Sequence, residues 1–152
     1  MGMLSRMLGM GGGTRDLLTD LGEDYRAEAE QAAILRRHAE RARYPQVAEA
    51  LRRLADVEEE HATALRDHIL RLGSQPPAVG PGVIAGRNQW ERLTAALAVA
   101  RQKRRKMVEH IVRWDPEEAD AVALLRRIES ADSEQLSVYD GLVMRSDPQA
   151  ID

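Results

Sequence analysis

A carboxylate and an imidazole lie one helical turn apart on an otherwise apolar line of the sequence. Within residues 47–72, apolar side chains recur at alternating spacings of four and three, and Glu58 and His61 fall on this line. The spacing predicts a long amphipathic helix with both polar groups on its inward face. A buried carboxylate needs a cation, a proton or several hydrogen bonds. The Glu-x-x-His pair therefore suits two ligands of one transition metal.

A second apolar line, over residues 17–42, also contains one acid, Glu28. It predicts a first helix, which Tyr44-Pro45 ends and after which the Glu-x-x-His helix begins at once. Such a short link requires the two helices to be antiparallel. The hairpin should therefore bring Glu28 towards the Glu-x-x-His pair.

The second half of the chain predicts another hairpin. Residues 73–88 are too rich in proline and glycine to be helical, and are long enough to run up the side of a bundle. Apolar lines then predict helices over 89–114 and 115–144, with Asp115 as N-cap and Pro116 in the first turn of the last helix. Alternating β-branched runs are missing. The expected fold class is all-α, a four-helix bundle of two hairpins joined by a long crossover.

The amino-acid composition limits which ligands and partners the protein can have. The chain has 152 residues, enough for one domain with a real core. It contains no cysteine, which excludes disulfides and thiolate ligands, so a metal would be bound by oxygen and imidazole, as suits Fe, Mn or Zn. The net charge of −3 does not indicate a nucleic-acid partner. No apolar run reaches the ~20 residues of a membrane span, so we expect a cytoplasmic protein that does not bind membranes.

The two halves of the chain resemble each other. Residues 50–61 and 124–135 align at a constant offset of 74, which pairs Glu58 with Asp132 and His61 with Gln135. Two hairpins related by duplication predict a bundle with pseudo-twofold symmetry.

These features resemble the ferritin-like superfamily, above all its rubrerythrin-type and bacterioferritin-type domains. That superfamily places Glu on helix one and Glu-x-x-His on helix two, then repeats the set on helices three and four. The resemblance implies iron or manganese as the metal, and iron binding, iron oxidation or peroxide-related chemistry. Carried over residue by residue, it implies a set of metal ligands: Glu28, Glu58 and His61, with Asp132 and Gln135 as weaker candidates.

The second half departs from the superfamily pattern on helix three. The repeat places Ala100, which cannot bind metal, opposite Glu28, and Arg104 follows one turn later on the same apolar line. A guanidinium there would pair with the buried acids. The rest of the basic run 101–106 is expected to be a solvated face, and His110 to be exposed or flanking.

Two main functions remain open from the sequence. The first is a metal-binding protein that uses the surviving half-site and completes it by pairing two chains as a homodimer or higher homo-oligomer. The second is a non-enzymatic bundle with a decayed site, acting as an oligomerisation or adaptor module. The sequence leaves open whether the protein is an enzyme.

The predicted domain limits are a flexible N-terminal tail over 1–13, the ferritin-like bundle over 14–144 and a C-terminal tail over 145–152. The first tail is rich in Met and Gly and carries several apolar side chains. A weaker hypothesis is that this tail is a docking peptide for a partner protein, with the glycines of residues 11–13 as a hinge.

Overall fold

Four long α-helices form the protein. A computed structural model describes residues 12–146, and no strand occurs in that range. The fold class is therefore all-α, as predicted. None of these helices combines the length and the apolar character that a membrane span requires. The helices are α1 (Gly12–Arg41), α2 (Pro45–Arg71), α3 (Gln89–Trp114) and α4 (Ala119–Ser146).

The helices pair as two antiparallel hairpins, α1 with α2 and α3 with α4, and the hairpins pack side by side. The first link is as short as predicted. Tyr44 has an extended backbone and Pro45 takes the first turn of α2, where its missing N–H costs nothing. The prediction of two hairpins is confirmed.

The crossover between α2 and α3 runs along the outside of α1. Arg26 donates to the carbonyl of Ala78, and Arg37, three turns further along α1, donates to the carbonyl of Gly82 at 3.1 Å. The connection thus climbs from the end of α2 to the other end of the bundle. Helices α2 and α3 therefore point in the same direction, as the length of the connection indicated.

Helix ends differ slightly from the predicted limits. Helix α1 begins two residues before the predicted start, and α4 ends two residues after the predicted end. Asp115 was expected to cap α4, but its N–H bonds to the carbonyl of Ile111, so it ends α3 instead. A turn over 115–118 separates the helices, and α4 begins at Ala119.

Most of the two predicted tails lies outside the described residues. This includes residues 1–11, which contain the apolar side chains of the docking hypothesis, and residues 147–152. Both tail assignments stay predictions.

The core consists of two apolar clusters with a polar layer between them. The upper cluster joins the end of α1 to the starts of α2 and α3 and to the end of α4, and it includes Leu35, Leu51 and Leu93. The lower cluster occupies the other half of the bundle and includes Leu21, Leu65 and Leu125. On every helix the residues between these clusters include a buried charged side chain.

Candidate metal centre

The polar layer takes one charged side chain from each helix. Glu28 on α1, Glu58 on α2, Lys103 on α3 and Asp132 on α4 are all at most 5% exposed. His61, one turn after Glu58, is half-buried at the edge of this layer. The apolar stripe that buries each helix also buries its charge, so the four side chains must satisfy one another.

The carboxylates and the imidazole converge as a set of candidate ligands. Glu28, Glu58, His61 and Asp132 each offer one ligand atom, and these atoms all lie within 4.8 Å of one another. His61 Nδ1 lies 3.0 Å from Asp132 Oδ1 and 3.8 Å from Glu28 Oε2. Gln135, the other weaker candidate, is half-buried and has no hydrogen bond to this group among the described residues. The role of all five as metal ligands stays a prediction.

Lys103 lies at the centre of the three acids. Its Nζ donates to Glu28 Oε2 at 2.9 Å and to Glu58 Oε2, and it forms an ion pair with Asp132 Oδ2 at 3.4 Å. An ammonium therefore occupies the middle of the carboxylate group. We call Glu28, Glu58, Asp132 and Lys103 the charged layer.

The prediction that Arg104 enters the core is wrong. The Arg104 side chain is 41% exposed and donates from Nε to Glu129 Oε1 at 2.8 Å. The apolar line through Ala100 and Met107 can be continued at spacings of three then four, or of four then three. The first choice gives Lys103 and the second Arg104, so spacing alone cannot decide between them.

The charged layer carries an excess of negative charge. Burial raises the pKa of Glu28 well above its usual range; Lys103 partly opposes this effect, and Glu58 adds to it. Burial disfavours the charge on Lys103, but Glu28, Glu58 and Asp132 outweigh it and raise the pKa of the ammonium. One ammonium against three carboxylates leaves two negative charges when His61 is neutral. A proton on Glu28 or a further cation would reduce this excess.

Two carboxylate oxygens of this layer have no hydrogen-bond donor among the described residues. They are Glu28 Oε1 and Asp132 Oδ2, and both are fully buried. Asp132 Oδ2 has only its ion pair with Lys103 at 3.4 Å, and Glu28 Oε1 has no hydrogen-bond partner in the described part of the chain. A buried carboxylate oxygen without a donor is costly, and a closer cation is the usual remedy. The residues present therefore fit one divalent ion bound by three carboxylates and an imidazole. Ala100 supplies no donor for a second ion.

Tyr139 and Gln31 form a hydrogen-bonded pair on the side of the upper cluster. Gln31 Nε2 donates to Tyr139 Oη at 3.0 Å and to the carbonyl of Ala96 at 3.1 Å. Burial and the nearby charge of Glu58 raise the pKa of Tyr139, so its phenol is neutral. The pair joins α1, α3 and α4 beside the charged layer.

A second buried polar cluster lies nearer the other end of α1, and sequence reasoning missed it. His110 was expected to be exposed or flanking, but it is 2% exposed, and its Nδ1 lies 2.8 Å from Asp24 Oδ2. Asp20 Oδ2 accepts hydrogen bonds from Arg113 at 2.7 Å and from Trp114 at 2.8 Å. The face of α1 that contacts α3 is polar, which an apolar-spacing argument does not detect.

The antiparallel hairpins, the long crossover and the carboxylate–histidine group in the core define a ferritin-like four-helix bundle. Residues 21–130, most of the chain, match the family model described as Rubrerythrin. The chain belongs to the rubrerythrin family. None of the curated proteins compared with it matches.

Replacing Lys103 should destabilise the protein far more than replacing its neighbour. Lys103→Met keeps the unbranched shape of the side chain but leaves three buried carboxylates without their ammonium, and such a loss typically costs ~3–5 kcal/mol. Arg104→Met breaks a partly exposed pair with Glu129 and should cost at most ~1 kcal/mol. Urea unfolding near neutral pH measures both. Equal losses for the two variants would contradict the central position of Lys103.

His110→Gln should lower the free energy of unfolding more at about pH 6 than at about pH 9. Burial opposes the charge on His110, but Asp24, Asp20 and Glu23 outweigh it and raise the pKa of the imidazole. A raised pKa contributes stability that is complete below the unfolded value of ~6.5 and is lost as the pH rises through the folded value. Urea unfolding of both proteins at the two pH values measures the difference. The same loss at both would show that the charge of His110 contributes nothing.

Proposed function

We propose that the protein binds one divalent metal ion, iron or manganese, in the core of the bundle. The ligands are Glu28, Glu58, His61 and Asp132. The observation that carries this proposal is the convergence of their four ligand atoms, which all lie within 4.8 Å of one another. Membership of the rubrerythrin family, whose members typically bind iron, supports the same conclusion.

The donor set favours a hard to borderline metal. Carboxylate oxygens with one imidazole nitrogen suit Fe²⁺ and Mn²⁺. His61 Nδ1 lies 3.0 Å from Asp132 Oδ1, so this ring nitrogen faces the proposed carboxylate ligands. Of the four proposed ligands, His61 alone is not fully buried. We therefore infer that ions enter the group past His61.

Helix α3 limits the site to one ion, because it offers no carboxylate at this level for a second metal. A bound iron ion would supply one-electron redox chemistry, which the iron oxidation or peroxide-related chemistry implied by the family resemblance would require. The chain's own contribution is to bind and orient the ion and to exclude water with the apolar clusters on either side.

A second candidate function is favoured by the same ammonium. Because Lys103 already pairs with all three carboxylates, the bundle can keep its buried charges without a metal. The protein would then be a non-enzymatic bundle that serves as an oligomerisation or adaptor module. A homodimer or higher homo-oligomer remains the predicted assembly under either function.

Metal titration of the purified protein distinguishes the two functions. We expect the wild type to bind about one Mn²⁺ or Fe²⁺ per chain, measured by calorimetry under anaerobic conditions and by elemental analysis. Glu58→Ala should weaken binding at least about tenfold, as the loss of a ligand does. Glu59→Ala is the matched control, because Glu59 is the next residue but is exposed and pairs with Arg36. It should leave binding unchanged.

The contrary result is equally clear. If the wild type binds no metal while Lys103→Met binds one ion, Lys103 has replaced the metal permanently and the metal-free function is correct. If Glu58→Ala and Glu59→Ala bind metal equally well, the ion lies elsewhere and the proposed ligand set is wrong.

A further inference from the structure

A cleft between α1 and α3 leads from the surface to Lys103. Its volume is about 180 Å³. The side chain of Lys103 is 2% exposed, so it forms the inner end of the cleft and its charged tip lies among the acids. The other lining residues used here are Glu23, Asp24, Ala27 and Lys106.

Lysine is rare in this chain. Of its 22 basic residues other than histidine, only Lys103 and Lys106 are lysines, and both line this cleft. Arginine carries a wide, rigid fork of donors, whereas lysine carries a compact ammonium on a flexible four-carbon stem. Lysine is the basic side chain better able to change its partners without moving the backbone.

A metal ion and the ammonium compete for the same atoms. Lys103 contacts Glu28 Oε2, Glu58 Oε2 and Asp132 Oδ2, and these carboxylates are three of the four proposed ligands. Two cations cannot share these oxygens in a buried layer, because little solvent screens their repulsion. Metal binding therefore requires Lys103 to move away from them.

The cleft offers the displaced ammonium both space and negative charge. Asp24 and Glu23 line it on the α1 side, and Asp24 is only 2% exposed. Burial disfavours the charge on Asp24 and raises its pKa, and the contact with His110 offsets this only in part, so a nearby ammonium would favour the charged carboxylate. Ala27 has a short side chain and leaves the cleft open beside them.

We propose that Lys103 has two positions, an inner one among Glu28, Glu58 and Asp132 and an outer one in the α1–α3 cleft beside Asp24 and Glu23, and that metal binding shifts it from the first to the second. This inference rests on the proposed metal-binding function. The inner position keeps the bundle stable without metal. When Lys103 is in the outer position, the three carboxylates are free to bind the ion. The affinity for metal therefore depends on how well the cleft accommodates the ammonium.

Chemical labelling reports the position of Lys103 directly. In metal-free protein, acetic anhydride should acetylate exposed Lys106 and leave Lys103 almost unmodified, as measured by mass spectrometry of the peptides. Saturation with Mn²⁺ should raise the acetylation rate of Lys103 towards that of Lys106. Lys106 serves as the internal reference, since its side chain is 57% exposed and it lies outside the charged layer.

Filling the cleft should weaken metal binding. Ala27→Leu occupies the space that the ammonium needs, so we expect about tenfold weaker Mn²⁺ binding and no rise in Lys103 acetylation. Ala29→Leu is the matched control. Both alanines are half-buried and flank Glu28, but Ala29 lines a separate groove between α1 and α2. Ala29→Leu should bind and label like the wild type.

The possible results distinguish a failure of the two-position inference from a failure of the proposed metal-binding function. If the wild type binds Mn²⁺ but Lys103 stays unlabelled at saturation, the ion is bound and the two-position inference is wrong. Equal Mn²⁺ affinities for Ala27→Leu and Ala29→Leu would also overturn it. If the wild type binds no Mn²⁺ at all, the proposed function fails first, and the inference fails with it.

Discussion

The structure depends on the contact between the Lys103 ammonium and three carboxylates in a buried layer. Moving one isolated ion into such a layer costs of the order of 20 kcal/mol in the idealised limit, so these charges are tolerable only together. Each helix supplies one of them. A rotation of α3 by one residue would take the Lys103 ammonium away from Glu28 and Glu58 and would break the pair between Arg104 and Glu129. The charged layer therefore fixes how the four helices are rotated and aligned, which the apolar clusters alone do not.

The same contact explains how a ferritin-like core tolerates the loss of part of its ligand set. A dinuclear centre needs carboxylates from all four helices, and the two metal ions balance their charge. Here α3 offers an ammonium in place of an acid. In the proposed function, the remaining acids and His61 bind one ion, and Lys103 compensates them when that ion is missing. On that proposal the layer holds one cation at a time, either its own lysine or a metal.

Much of this could be read from the sequence, because apolar spacing and chain breaks decide helix number, pairing and crossover. The convergence of Glu28, Glu58 and His61 followed from the same spacing. Two features of the site could not be predicted from the sequence. Lys103 was missed because residues 103 and 104 fit the apolar line equally well, and a basic run usually forms a solvated face. His110 was missed because its partners lie on a polar face of α1, where burial comes from paired charges rather than apolar side chains.

The most direct measurement is the diffraction of crystals grown without metal and then soaked in Mn²⁺, using the anomalous signal of manganese. The account predicts one peak among Glu28, Glu58, His61 and Asp132, with the Lys103 ammonium no longer within hydrogen-bonding distance of Glu28. It is contradicted by two adjacent peaks, by a peak beside an unmoved Lys103, or by soaked crystals in which Lys103 keeps all three carboxylates and no manganese is bound.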